Sequence, residues 1–249
     1  MKKIILSGAL LLASVGIVQA SPVTFNLSKH PGDSTNYFNL SNSFTLTVDG
    51  LTATFTAGAF TNNLDSTGGN RNITSNGSNG FTIGGPSNTL NATDDARIGR
   101  YYGGASVTNS PGDNSHQVDS SGWNDFITAS FSYNGEDVDV AMSSVSFSFF
   151  DSRDDFRWGY DLSGDGSYGD GDFLSHREDD NPFSEFGGVE SSLFMFGAFD
   201  KGRKEKDYWK LHAVTVHFEP PTTVPLPAGG LLLLSGLGVF AFARKRQKA

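Results

Sequence analysis

The sequence predicts an all-β fold, an antiparallel β-sandwich of jelly-roll-like type with long loops rich in Gly, Asn and Ser. Three observations predict it. Apolar residues recur at period two through much of the central chain, the mark of strands with one face in a core. Asp-Gly and Asn-Gly pairs interrupt alternating runs where hairpins need left-handed turns. The 21 phenylalanines fall mostly inside the runs, where they pack a core between two sheets, and the 30 glycines help fill the connections.

Strands are expected over 23–27, 44–48, 51–59, 80–83, 126–133, 137–142, 144–150, 156–161, 193–199 and 210–218. Phe44, Leu46 and Val48 alternate with threonines, Asp49-Gly50 turns the chain, and Leu51, Ala53, Phe55 and Ala57 resume the alternation. Ile127, Ala129, Phe131 and Tyr133 repeat the device, with Asn134-Gly135 as the turn before Val138, Val140 and Met142. Val145, Phe147 and Phe149 alternate with serines, and Phe156, Trp158 and Tyr160 read as a strand. Phe194, Phe196 and Phe199 suggest another, and His212, Val214, Val216 and Phe218 read as one face of the last. His212 and His217, five apart, are expected on opposite faces and so do not share a metal. Residues 62–122 hold few apolar anchors beyond Phe81, Ile83, Leu90, Ile98, Tyr101 and Tyr102. A structureless loop of that length is unusual in a compact domain, so short strands are expected within it.

The two ends differ from this body. Lys2 and Lys3 precede an apolar stretch from Ile4 to Val18, and Val18-Gln19-Ala20 offers small residues near a cleavage point. That is the layout of a secretory signal peptide over 1–20, with the mature chain starting near Ser21. At the other end, residues 223–249 form a second targeting segment. Val224-Pro225-Leu226-Pro227-Ala228 keeps the chain extended. Residues 228–243 are uncharged and read as a short membrane-crossing helix, and Arg244, Lys245, Arg246 and Lys248 favour the cytoplasmic side and stop transfer. Residues 21–222 are left as one domain, held across the inner membrane during passage.

This C-terminal segment resembles the sorting signal of PEP-CTERM proteins of Gram-negative bacteria, with Leu226 where the family name has Glu. The resemblance covers about a tenth of the chain. A weaker likeness to the β-sandwich bodies of such proteins rests on Asp151 to Phe156 and on the late strand running into the proline motif. The resemblance implies an exosortase-like membrane enzyme as partner. It also implies an inner-membrane intermediate, and release or transfer to the cell surface, often in bacteria that make exopolysaccharide and biofilm matrix.

Composition narrows the chemistry. There is no Cys, hence no disulfide, thiol nucleophile or thiolate metal site. Of the 18 basic residues, two lie in the leader and four in the tail, and neither segment holds an acid. The body therefore sets 27 acids against 12 bases, a net charge of −15, which repels nucleic acid and attracts divalent cations. Asp151 to Asp180 alone holds ten acids and three arginines.

Within that stretch, Asp161, Ser163, Asp165, Gly166, Ser167 and Asp172 occupy positions 1, 3, 5, 6, 7 and 12 of a D-x-[DN]-x-[DN]-G calcium loop. The side chains at 1, 3 and 5 converge as the chain curls, Gly166 permits the turn, Ser167 offers a carbonyl, and Asp172 closes the ring. Calcium is therefore the expected cofactor, with a Gly/Asp turn between strands as the competing account. Gly164 to Gly169 also matches G-x-G-x-x-G, but no helix follows and acids crowd it, so it is not read as a nucleotide site. No H-E-x-x-H, G-x-S-x-G or P-loop is present, and the acids of 151–180 offer too many carboxylate pairs for any one to be singled out. Trp123, Trp158 and Trp209, with Tyr101 and Tyr102, are candidates for stacking on sugar rings. The expectation is a non-catalytic exported protein of the cell surface or extracellular matrix, calcium-stabilised and associated with exopolysaccharide. A carbohydrate-binding module and a secreted polysaccharide hydrolase are the alternatives.

Overall fold

The computed structural model describes residues 20–28, 41–60, 72–75, 81–84, 96–108, 116–120, 124–166, 172–198 and 206–220. Among these residues the chain is all β, in two antiparallel sheets. The strands belong to the unit Met1–Glu219, and the unit Pro220–Ala249 lies, apart from Pro220, outside the described residues. No described helix is long and apolar enough to cross a membrane.

In chain order the strands are β1 (Ser21–Asn26), β2 (Ser43–Val48), β3 (Leu51–Phe60), β4 (Asn72–Ser75), β5 (Phe81–Gly84), β6 (Arg97–Tyr101), β7 (Gly104–Thr108) and β8 (Val118–Asp119). They continue as β9 (Asn124–Tyr133), β10 (Glu136–Asp137), β11 (Val140–Ser148), β12 (Arg157–Tyr160), β13 (Phe173–Leu174), β14 (Glu190–Ser191), β15 (Leu193–Gly197) and β16 (Tyr208–Phe218). One sheet runs β14-β11-β16-β7-β6, with β1 and β8 also paired to β16, and the other runs β2-β3-β9-β15-β12-β13-β5-β4, with β10 on β9. At one corner Ser41, just before β2, exchanges backbone hydrogen bonds with Ile98 of β6 at 3.1 and 2.8 Å, which links the two sheets.

The predicted hairpins form as their turn residues dictate. Asp49 and Gly50 have φ of 51° and 82°, and Asn134 and Gly135 of 53° and 85°. Two successive left-handed residues match the twist of the flanking strands, so Val48 pairs with Leu51 and Tyr133 with Glu136. Within 62–122 the short strands are β4 to β8; β6 and β7 join through Tyr102-Gly103, where Gly103 takes φ 93°.

Two bulges correct the predicted edges. Met142 pairs with Val216 and Ser144 with Thr215, so Ser143 is the extra residue and the alternation changes phase. Val140 and Met142 face the core before it, and Val145 and Phe147 after it, which makes one strand of the predicted 137–142 and 144–150. On β16 the pairing steps from Ala213 to Leu211 across His212. The inward set is therefore Trp209, Leu211, Val214, Val216 and Phe218, and His212 does not share their face.

The sheets meet in one core. Phe25 of β1 lies 6.4 Å from Phe55 and 5.9 Å from Phe131 of the opposite sheet, ring centre to ring centre. Towards the other end Phe147 packs on Trp209 at 4.7 Å and on Phe156 at 4.5 Å, and Trp158 packs on Phe173 and Phe186. Such edge and tilted contacts add to the burial of large apolar area.

Candidate functional site

The loop after β12 is organised by its own carboxylates. Asp161 Oδ1 accepts from the amides of Gly164 and Asp165 and from Ser163 Oγ, and Oδ2 accepts from the amide of Gly166 at 2.7 Å. Asp172 Oδ1 accepts from the amides of Leu162 and Ser163 at 3.0 and 3.1 Å. Gly164 and Gly166 have φ of 74° and 80°, the left-handed geometry that lets the chain curl back over Asp161. Asp161 and Asp172 are buried, Ser163 and Asp165 are exposed, and Ser167 lies outside the described residues. The donors are hard oxygens of the kind calcium takes. Among the described residues no group of three or more His, Cys, Asp or Glu stands ready to hold a metal ion.

A second set of carboxylates sits where strands begin. Asp119, Asp125, Asp154, Asp155 and Asp207 are all buried. Asp154 Oδ1 accepts from the amide of Tyr208 at 2.9 Å and Oδ2 from that of Asp151 at 2.7 Å. Asp207 Oδ1 accepts from the amide of Asp155 at 3.0 Å, and its own amide donates to Ser120 Oγ. Asp125 Oδ2 accepts from the amide of Asp119 at 3.4 Å. Apart from that of Asp151, which lies in the loop after β11, these amides lie at or beside strand ends, and the carboxylates supply the acceptors that a ladder partner would supply elsewhere.

Beside this seam is an open cleft of about 590 Å³. Phe149 and Tyr208 give it aromatic surface, Gln117 an amide, and Asp151, Asp154, Arg153 and Lys206 its charges. Arg153 donates to both oxygens of Asp151, at 3.2 and 2.6 Å, and these hydrogen bonds hold the Asp151 carboxyl below the usual range. Burial pushes Asp154 upward against the pull of its two amide donors. Oppositely shifted carboxylates are the arrangement that acid–base catalysis uses. Here, however, both oxygens of Asp154 already accept backbone amides, which ties the carboxyl to the start of β16 and to the loop after β11.

Phe149 has φ 64°, which is costly for a bulky side chain. The turn lets Phe150 stack on Phe147 at 5.4 Å while the Phe149 ring stands outside, 55% exposed. Lys210 Nζ lies 4.9 Å from the Phe149 ring centre and 5.2 Å from that of Tyr101, and donates to the Tyr102 carbonyl. Tyr101 in turn stacks on His116 at 5.0 Å. A Cβ on Gly103 would stand 2.7 Å from Phe149 Cε2, so the absence of a side chain there makes room for the ring.

Trp158 and Trp209 are core residues, 5% and 0% exposed, with no face for a sugar. Among the described residues the exposed aromatic surface is carried by Tyr102, one of the candidates, and by Phe149, expected within a strand. Trp123, the motif Val224 to Ala228, and Arg244, Lys245, Arg246 and Lys248 lie outside the described residues. The strand-end seam gave no signal in sequence, because Asp119, Asp125 and Asp207 are far from Asp154 along the chain. His212, displaced by the bulge, bonds through Nδ1 to the Gly103 carbonyl at 3.0 Å.

No protein-family model matches the chain, and neither the curated proteins nor the solved structures yield a match.

Proposed function

We propose that this chain is an exported, non-catalytic protein of the cell surface or extracellular matrix, delivered by an exosortase-like enzyme in the inner membrane. The observation that carries the reading is the order of parts at its C-terminus: Val224-Pro225-Leu226-Pro227-Ala228, then an uncharged run, then Arg244 to Lys248. The leader at residues 1–20 and the acidic body support it. Engagement of Asp151 by Arg153, and of Asp154 by two amides, supports binding or scaffolding over hydrolysis. The chain crosses between sheets repeatedly, with β9, β12 and β15 in one and β11, β14 and β16 in the other, and this supports a jelly-roll-like class.

The test is to fractionate expressing cells and sequence the ends of the protein by mass spectrometry. The expected product begins near Ser21, lacks the basic tail, and is found at the surface or in the medium. Full-length chain in the cytosol would refute the reading.

Calcium has a narrower place in the proposal. Asp161, Ser163, Asp165, Ser167 and Asp172 would hold the ion, which would add a hard positive charge between carboxylates that already face one loop. The melting temperature is expected to rise with millimolar calcium and to fall with chelator, and Asp161→Ala with Asp165→Ala to remove the difference. A wild-type melt indifferent to chelator leaves the loop as a carboxylate-capped turn.

A further inference from the structure

We infer that the cleft at Phe149 is a binding site for uncharged glycan, with the Phe149 ring as the surface on which a sugar stacks. The inference goes beyond the export reading and does not depend on it, since the cleft is the same wherever the chain resides.

A sugar ring offers an apolar C–H face and a rim of hydroxyls that both donate and accept. Its binding site therefore needs a flat aromatic surface beside groups of both kinds. The cleft has both: Phe149 and Tyr208 for the face, and Gln117, Arg153 and the carboxylates of Asp151 and Asp154 for the rim. Its volume of about 590 Å³ falls within the range of small-ligand sites. The charge of the lining cancels, two acids against two bases, and the most exposed pair is already joined at 2.6 Å. The surrounding body is acidic, so an anionic polysaccharide meets repulsion on approach.

The ring is also held in place. Its backbone is in the left-handed region, Lys210 sits against it, and Gly103 leaves the space its edge occupies. An exposed aromatic kept at a conformational cost is what a preorganised contact requires, because little further freedom is lost on binding. Core packing does not explain it, since Phe150 takes the inward place on Phe147 and Phe156.

The experiment uses the full chain in a zwitterionic detergent without a sugar headgroup. Gluco-, manno- and galacto-hexaoses and an oligogalacturonate are titrated by calorimetry. At least one neutral hexaose is expected to bind, and the oligogalacturonate to bind more weakly. F149G removes the ring and suits the backbone, so it is expected to keep the wild-type melting temperature or exceed it while affinity falls about tenfold. F149Y is expected to restore binding. The inference is overturned if no neutral hexaose binds at millimolar concentration, if F149G binds as well as wild type, or if the uronate binds best. Each of these results leaves the cellular location of the protein untouched.

Discussion

The loop at Asp161 and the seam at Asp154 and Asp207 use the same chemistry at very different chain separations. In both, a carboxylate accepts backbone amides that have no ladder partner. Asp161 serves residues two to five positions ahead, on an exposed loop. Asp154 reaches 54 positions to Tyr208 beside the cleft, and Asp207 reaches 52 back to Asp155 in buried surroundings. The local version can form before the fold exists and organises a turn. The distant version can form only once the sheets have met, and it fixes where strands begin. Water can replace the carboxylate in the first case and has little access to the buried bond between Asp207 and Asp155, so that bond should be worth more.

Asp207→Ala is expected to have the largest effect. It strands the amide of Asp155 in a buried seam, and a loss of about 2–3 kcal/mol is expected by chemical denaturation. Asp161→Ala should cost nearer to about 1 kcal/mol in calcium-free buffer, because water takes up the exposed amides. Equal losses, or a reversed order, would show that burial does not separate the two regions.

Glu178 sharpens it with pH. Burial, with Glu185, Asp179 and Asp180 nearby, raises its pKa from 4.5 to about 7. The folded chain then holds this proton more tightly than the unfolded one. The stability it confers is complete below pH 4.5 and is lost as pH rises through 7. Denaturation midpoints measured across that window should fall less steeply for Glu178→Gln than for wild type. Phe149→Gly carries the smallest effect, within about 1 kcal/mol of wild type, because relief of the left-handed backbone offsets glycine's greater freedom when unfolded.

Much of the sandwich was legible in the sequence because its signals are local. Alternation at Phe44 to Val48 and Leu51 to Ala57, joined by Asp49-Gly50, contains a whole hairpin within fifteen residues, and the strands form there. Where a bulge intervenes, local reading fails in a specific way: Ser143 splits one strand into two, and His212 is assigned the wrong face. The phase change is set by the partner strand, which no window of sequence contains. The same holds for the cleft. Gln117, the run from Phe149 to Asp154, and Tyr208 come from three separate segments, and Phe149 looked like core because its alternation continues that of Val145 and Phe147. Only its positive φ turns it outward.

β16 pairs with β1, β7, β8 and β11, and its partners begin at Ser21, the first residue of β1. The strand that joins its sheet is thus the last of the described strands in chain order. Until residues 208–218 emerge, β1, the β11–β14 pair and the β6–β7 hairpin have no common strand to add to. A sheet wired this way cannot be completed before residues 208–218 exist, whatever the order in which its other strands pair.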